Sequence, residues 1–163
     1  MRERLRRAKV GALSIRVYID ADACPVKEDT FKVSKRYSLH VFVVSNSPIT
    51  LPRADWIEPV VVGSDFDAVD DWIVDHAAAD DIVVTADTPL AARCLPKVAA
   101  VVHPTGRRFT DDDIGSALAM RDLLAQLRES GTRTRGPAPF TDRDRSAFLQ
   151  TLDAAIQKAR RAR

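Results

Sequence analysis

The sequence predicts an α/β domain built on a central, mainly parallel five-stranded sheet, with two further helices at its C-terminal end. Three observations lead there. Five short apolar runs rich in β-branched residues occur at 15–20, 39–44, 57–62, 82–84 and 98–102. Helical patterns separate the first run from the second, the third from the fourth and the fourth from the fifth, as right-handed parallel crossovers require. With 163 residues the chain is long enough to bury one sizeable core.

Residues 1–14 read as a solvated basic extension or a nucleic-acid-binding arm. Strand Ile15–Asp20 follows, and Pro25 opens a helix reaching Tyr37, since proline suits a first turn. Leu39–Val44 is the second strand, after which Ser45-Asn46-Ser47-Pro48 and Leu51-Pro52 make an irregular loop. Ile57–Val62 is the third strand, closed by Gly63-Ser64. Asp67 is placed to cap a helix in which Val69, Trp72, Ile73 and Ala77 share a face. Ile82–Val84 is the fourth strand, and Thr88-Pro89 starts a short helix through Cys94. Val98–Val102 is the fifth, with His103-Pro104-Thr105-Gly106 turning out of it. Thr110 followed by three aspartates signals a helix running to Arg128. After a loop holding Gly131, Gly136, Pro137 and Pro139, Thr141 caps a last helix with Phe148, Leu152 and Ile156 on one face. The folded domain spans 15–157, and 158–163 reads as a basic tail.

Bulk properties narrow the function classes. The chain is 45% hydrophobic and 29% charged, an ordinary globular balance. Its net charge of +2 is segregated: residues 1–9 and 158–163 carry +4 each, which leaves −6 between them. An acidic body binds nucleic acid poorly unless cations neutralise it. Two cysteines, Cys24 and Cys94, are too few for a disulfide framework and form no CxxC pair, which argues against structural zinc. His40, His76 and His103 show no metal-ligand spacing. No run has the length of a membrane span, and the basic N-terminus lacks the apolar core of a signal peptide, so a cytoplasmic protein is expected. The two C-terminal helices pack on the sheet or reach a second copy to form a homodimer.

Three acidic loci meet at the carboxyl edge of this sheet, where open α/β folds bind ligands. Asp20 and Asp22 end the first strand, Asp87 follows the fourth, and Asp67, Asp70 and Asp71 open the helix after the third. Asp67 stands at i,i+3 and i,i+4 from Asp70 and Asp71, so at least two of these share a face. The plain alternative for the helix acids is capping and solvation. Agreement between separate loci favours a metal site, and oxygen ligands without histidine or cysteine suit Mg²⁺ or Mn²⁺. Such ions activate water and offset charge on a phosphodiester undergoing displacement, with Asp20 and Asp87 as the catalytic carboxylates. Thr85 is placed to bond a phosphate or a metal-bound water. Asn46, Arg121, Arg133 and Arg135 are candidate phosphate contacts, the arginines belonging to a basic cluster that also holds Arg128, Arg143 and Arg145. Cys24 lacks a neighbouring general base and reads as a buried thiol.

The stretches Asp20-Ala-Asp-Ala-Cys-Pro25, Asp67-Ala-Val-Asp-Asp71, Val84-Thr-Ala-Asp-Thr-Pro-Leu-Ala-Ala92, Met120-Arg-Asp-Leu-Leu124 and Gly136-Pro-Ala-Pro-Phe140, with Asp144-Arg145, together resemble the YaiI/YqxD family of bacterial proteins, a branch of the PIN-like superfamily. They span about residues 15–155 in the right order. The resemblance implies a three-layer α/β/α PIN-like domain. It also implies a Mg²⁺- or Mn²⁺-dependent nuclease acting on RNA, with Asp20, Asp87 and one or two of Asp67, Asp70 and Asp71 at the site. A fold hosts many functions, so the activity rests partly on analogy.

Two other readings compete. Asp20-Ala-Asp22 resembles the DxD of haloacid-dehalogenase-like phosphatases, in which Asp20 would be the nucleophile and Asp22 the acid/base. Thr85 and Lys97 would take the later roles and Asp111-Asp112 would close the acidic set, but Cys24 stands where that pattern has threonine. The third reading is a non-catalytic module that binds nucleic acid or protein and keeps a metal for stability.

Overall fold

The computed structural model describes residues 14–22, 24–129, 131 and 138–162, with only the backbone of Ala117. Residues 1–13 of the basic extension, and Arg133 and Arg135, lie outside the described residues. The elements are β1 (Arg16–Asp20), α1 (Lys27–Arg36), β2 (His40–Ser45), β3 (Ile57–Val61), α2 (Ala68–His76), β4 (Ile82–Val84), α3 (Thr88–Cys94), β5 (Ala100–Val102), α4 (Asp111–Glu129) and α5 (Asp142–Arg161).

The five strands form one sheet in the order β3-β2-β1-β4-β5, and every named pairing is parallel. The chain steps outward from β1 through β2 to β3, then returns to lay β4 on the other side of β1. Strand order therefore reverses between β1 and β4, and the loops leaving those two strands diverge into a crevice.

Side-chain alternation builds a core on each face of the sheet. Val17 and Ile19 of β1, Val41 and Val43 of β2, Ile82 and Val84 of β4, and Ala100 and Val102 of β5 face α1 and α5. Tyr18, Val44, Val83 and Val101 face α2, α3 and the start of α4. The result is three layers, α/β/α. Each fully buried aliphatic side chain contributes about 1.5–3 kcal/mol, so a one-residue slip of β1 would exchange its two faces at large cost.

Local chemistry sets the helix ends. In α1, Glu28 and Asp29 lie in the first turn and Lys35 and Arg36 in the last, matching the helix dipole. The helix begins after Val26 rather than at Pro25, and it stops where Ser38 turns into the left-handed region at φ 56°. Asp87 caps α3 by accepting the Leu90 N–H at 2.9 Å. Thr110 caps α4 through the Asp113 N–H at 3.2 Å. Thr141 and Asp144 form a reciprocal capping box on α5. Lys158, Arg160 and Arg161, expected in a basic tail, are instead the last turn of α5. Ala159 between them is buried, which holds that turn on the core.

Candidate functional site

A cleft of roughly 370 Å³ opens at the carboxyl edge of the sheet, at the point where strand order reverses. Asp20, Asp22, Asp70 and Asp87 line it together with Cys24 and Asn46, and Phe66, Val69, Ala86 and Pro104 supply its apolar wall. Acids from the end of β1, the loop after β4 and the first turn of α2 thus reach one cavity.

Thr85 organises the two strand-end acids. Its side chain is buried, its hydroxyl donates to Asp20 Oδ2 at 2.8 Å, and the same oxygen accepts the Asp87 N–H at 3.0 Å. The hydroxyl reads as a brace between the two loops, not as a cleft-lining contact. Asp87 is fixed a second time through its cap on Leu90. Asp22 accepts from Asn46 Nδ2 at 3.2 Å, which links the loops after β1 and β2.

The acids repel one another. Burial raises the Asp20 pKa, and the charges of Asp87 and Asp22 raise it further, while the Thr85 hydrogen bond opposes both. Asp70 is pushed up to about 6, first by burial and then by the charges of Asp87, Asp20 and Asp67, against the nearby Arg93. Asp67 sits at the N-cap position of α2, where its side chain makes no capping bond. Asp71 leaves the group and pairs with Arg93 at 2.9 Å.

Asp70 carries a stability consequence. A carboxylate whose pKa is raised on folding favours the fold when protonated; that contribution is complete below the ordinary value near 3.8 and is lost as pH rises through about 6. In chelator, Asp70→Asn is therefore expected to melt at higher temperature than the wild type at pH 7.5. The difference should shrink as pH falls and vanish below pH ~4. Thermal melts across pH check this, and a gap that does not change with pH would contradict it.

Every carboxylate in the cleft is a hard oxygen donor, and the one soft group, Cys24, has its thiol pushed up by burial and held protonated. Among the described residues, no three acidic, histidine or cysteine side chains converge on a single point. An ion bound there would take one or two carboxylates and complete its shell with water, as Mg²⁺ commonly does. The donor set fits a hard divalent cation on those terms.

The remaining sequence candidates lie elsewhere. Arg121 is exposed on α4 and does not line the cleft. Arg145 pairs with the buried Asp29 of α1. For the phosphatase reading, Lys97 donates to the Val74 carbonyl, Asp111 and Asp112 are exposed at the start of α4, and none of the three reaches the cleft. Sequence reasoning missed Phe66, which stands 98% exposed on the cleft wall. Its only signal was a place one residue ahead of Asp67.

No helix among the described residues is long and apolar enough to cross a membrane. A family model described as "Uncharacterized BCR, YaiI/YqxD family" matches residues 18–158. A UPF0178 protein of Rhodospirillum centenum is 55% identical over 151 residues, covering 90% of this chain and 98% of that one. A UPF0178 protein of Azorhizobium caulinodans is 53% identical over 148 residues, covering 91% and 93%. One from Brucella ovis is 50% identical over 150 residues, with the same coverage. No solved structure matches the chain. The acids, the brace and the wall described above all lie within the matched span, and the chain belongs to the YaiI/YqxD family.

Proposed function

We propose that the cleft is a metal-dependent phosphodiesterase site acting on nucleic acid, with RNA as the first substrate class and Mg²⁺ or Mn²⁺ as the cofactor. One observation carries the reading: acids from three separate chain segments line a single cleft at the topological switch point, where burial and then neighbouring carboxylate charge raise the pKa values of Asp20 and Asp70. Folding gains nothing from that repulsion, whereas a bound cation relieves it.

One or two of Asp20, Asp87 and Asp70 would hold the ion, with water completing its shell. When bound, it lowers the pKa of a coordinated water and offsets charge on the phosphoryl oxygens. The chain's own residues fix the site. Thr85 holds Asp20 and the Asp87 backbone in one arrangement, Asn46 steadies Asp22, and the apolar wall keeps bulk water off one side. The pairing of Asp71 with Arg93 favours Asp70 over Asp71 as the helix ligand.

Calorimetric titration with Mn²⁺ tests this. Wild type is expected to bind at micromolar to millimolar concentration, and Asp20→Asn combined with Asp87→Asn to lose at least ~10-fold in affinity. Equal affinity in both proteins would move any bound ion away from the cleft and end the reading.

A further inference from the structure

We infer that Phe66 is a stacking platform for an unpaired nucleobase, so that the cleft takes single-stranded nucleic acid and presents the adjacent phosphodiester to the carboxylates. This rests on the phosphodiesterase reading and specifies its substrate.

Among the described residues Phe66 is the most exposed large hydrophobic side chain, at 98%. It leads into α2, one residue before Asp67 and four before Asp70. Val69, next along the same wall, is buried and anchors the turn, so the ring projects from a fixed base. Pro104 contributes a second apolar surface to the same cavity.

Charge explains why such a ring is needed. Four aspartates line the cleft and no arginine or lysine among the described residues does, and Arg93, whose charge reaches Asp70, is paired with Asp71. The lining itself offers a phosphate chain no cationic side chain, and Lys27 beside it is turned to the Ala21 carbonyl, so attraction to the lining supplies little affinity. Base stacking is neutral, tolerant of sequence and barely screened by salt. In a duplex both faces of each base are covered by neighbours; an unpaired base can offer one to Phe66. A ring this close to Asp70 would set a nucleotide so that its own phosphate lies over the acids.

The test uses a fluorescein-labelled single-stranded oligouridylate, the corresponding duplex, and a strand with abasic sites. Anisotropy is read with Ca²⁺ in place of Mn²⁺, so that the strand is bound without being cut, on wild type, Phe66→Ala and Phe66→Trp. Phe66→Ala is expected to weaken single-strand binding roughly 5- to 150-fold, and Phe66→Trp to restore it. The introduced indole should also be quenched by the oligouridylate and not by the abasic strand. Single-strand affinity that is the same in wild type and Phe66→Ala, or duplex bound as tightly as single strand, would overturn the inference. Mn²⁺ titration of the same proteins reports the carboxylate site separately: unchanged metal affinity in Phe66→Ala with unchanged strand affinity sinks the platform alone, whereas wild type that binds no Mn²⁺ sinks the phosphodiesterase reading.

Discussion

Asp20→Asn is expected to lower the rate of RNA hydrolysis roughly 10²- to 10⁴-fold, the range that loss of a metal-supplied charge offset of several kcal/mol implies. The substitution keeps the size of the side chain and a hydrogen-bond acceptor for Thr85, so the fold should persist. Because burial and like charge disfavour the ionised Asp20, the amide should also leave the metal-free protein no less stable than wild type. Loss of activity without loss of stability is the signature sought. Thr85→Val supplies the contrast. It keeps the shape but removes the hydroxyl that joins Asp20 to the Asp87 backbone, at about 0.5–1.5 kcal/mol for each of the two hydrogen bonds lost. Its expected defect is smaller, about tenfold in kcat, with Thr85→Ser recovering most of it. Single-turnover cleavage of a labelled strand, with melting curves on each variant, checks both. Full activity in Asp20→Asn would remove the carboxylates from the chemistry.

Gly106→Ala is expected to be the most damaging single-methyl change in the domain. Gly106 has φ 93°, a region that side-chain-bearing residues rarely enter. A Cβ there would lie 2.5 Å from the Ala147 carbonyl carbon and 2.7 Å from the Phe148 nitrogen, both helix backbone of α5. The Gly106 carbonyl also accepts the Thr151 hydroxyl at 2.6 Å, so this turn is sewn to the same helix. Strain and overpacking together should cost about 2–4 kcal/mol. In a chain of this length that is a fall in Tm of roughly 4–16 °C. Gly63, with nothing within 4 Å of its notional Cβ, is the control and should tolerate alanine. Equal melting temperatures for the two variants would show that α5 shifts easily.

Elements governed by local chemistry were legible in the sequence. The fourth strand and the helix after it appear at 82–84 and 88–94, because Asp87, Thr88 and Pro89 form a start signal that does not depend on tertiary context. The Thr141 cap is of the same kind. Other ends moved by a few residues. Ser45 joins β2 because Val61 offers it a partner, and β5 starts at Ala100 because the Val98 N–H is used by the Cys94 carbonyl. The sequence could place at least two of Asp67, Asp70 and Asp71 on one helix face but could not say which acid would meet Arg93, a residue from another helix. Phe66 was hidden for a related reason. An aromatic residue beside a helix start reads as core until the surrounding packing is known, and here the packing leaves it outside.

The last helix gives the domain an order of assembly. Phe148, Leu152, Ala155, Ile156 and Ala159 complete the core under α1, and Arg145 neutralises the buried Asp29. During synthesis β1 and α1 leave the ribosome more than a hundred residues ahead of those partners. Until then one face of the nascent sheet is uncovered, and Asp29 lacks its counter-charge. The opposite face, covered by α2 and α3, can close much earlier. Closure of the layer that carries α1 is thus tied to emergence of α5, and a chain stalled before Phe148 would expose a valine-rich surface that chaperones recognise.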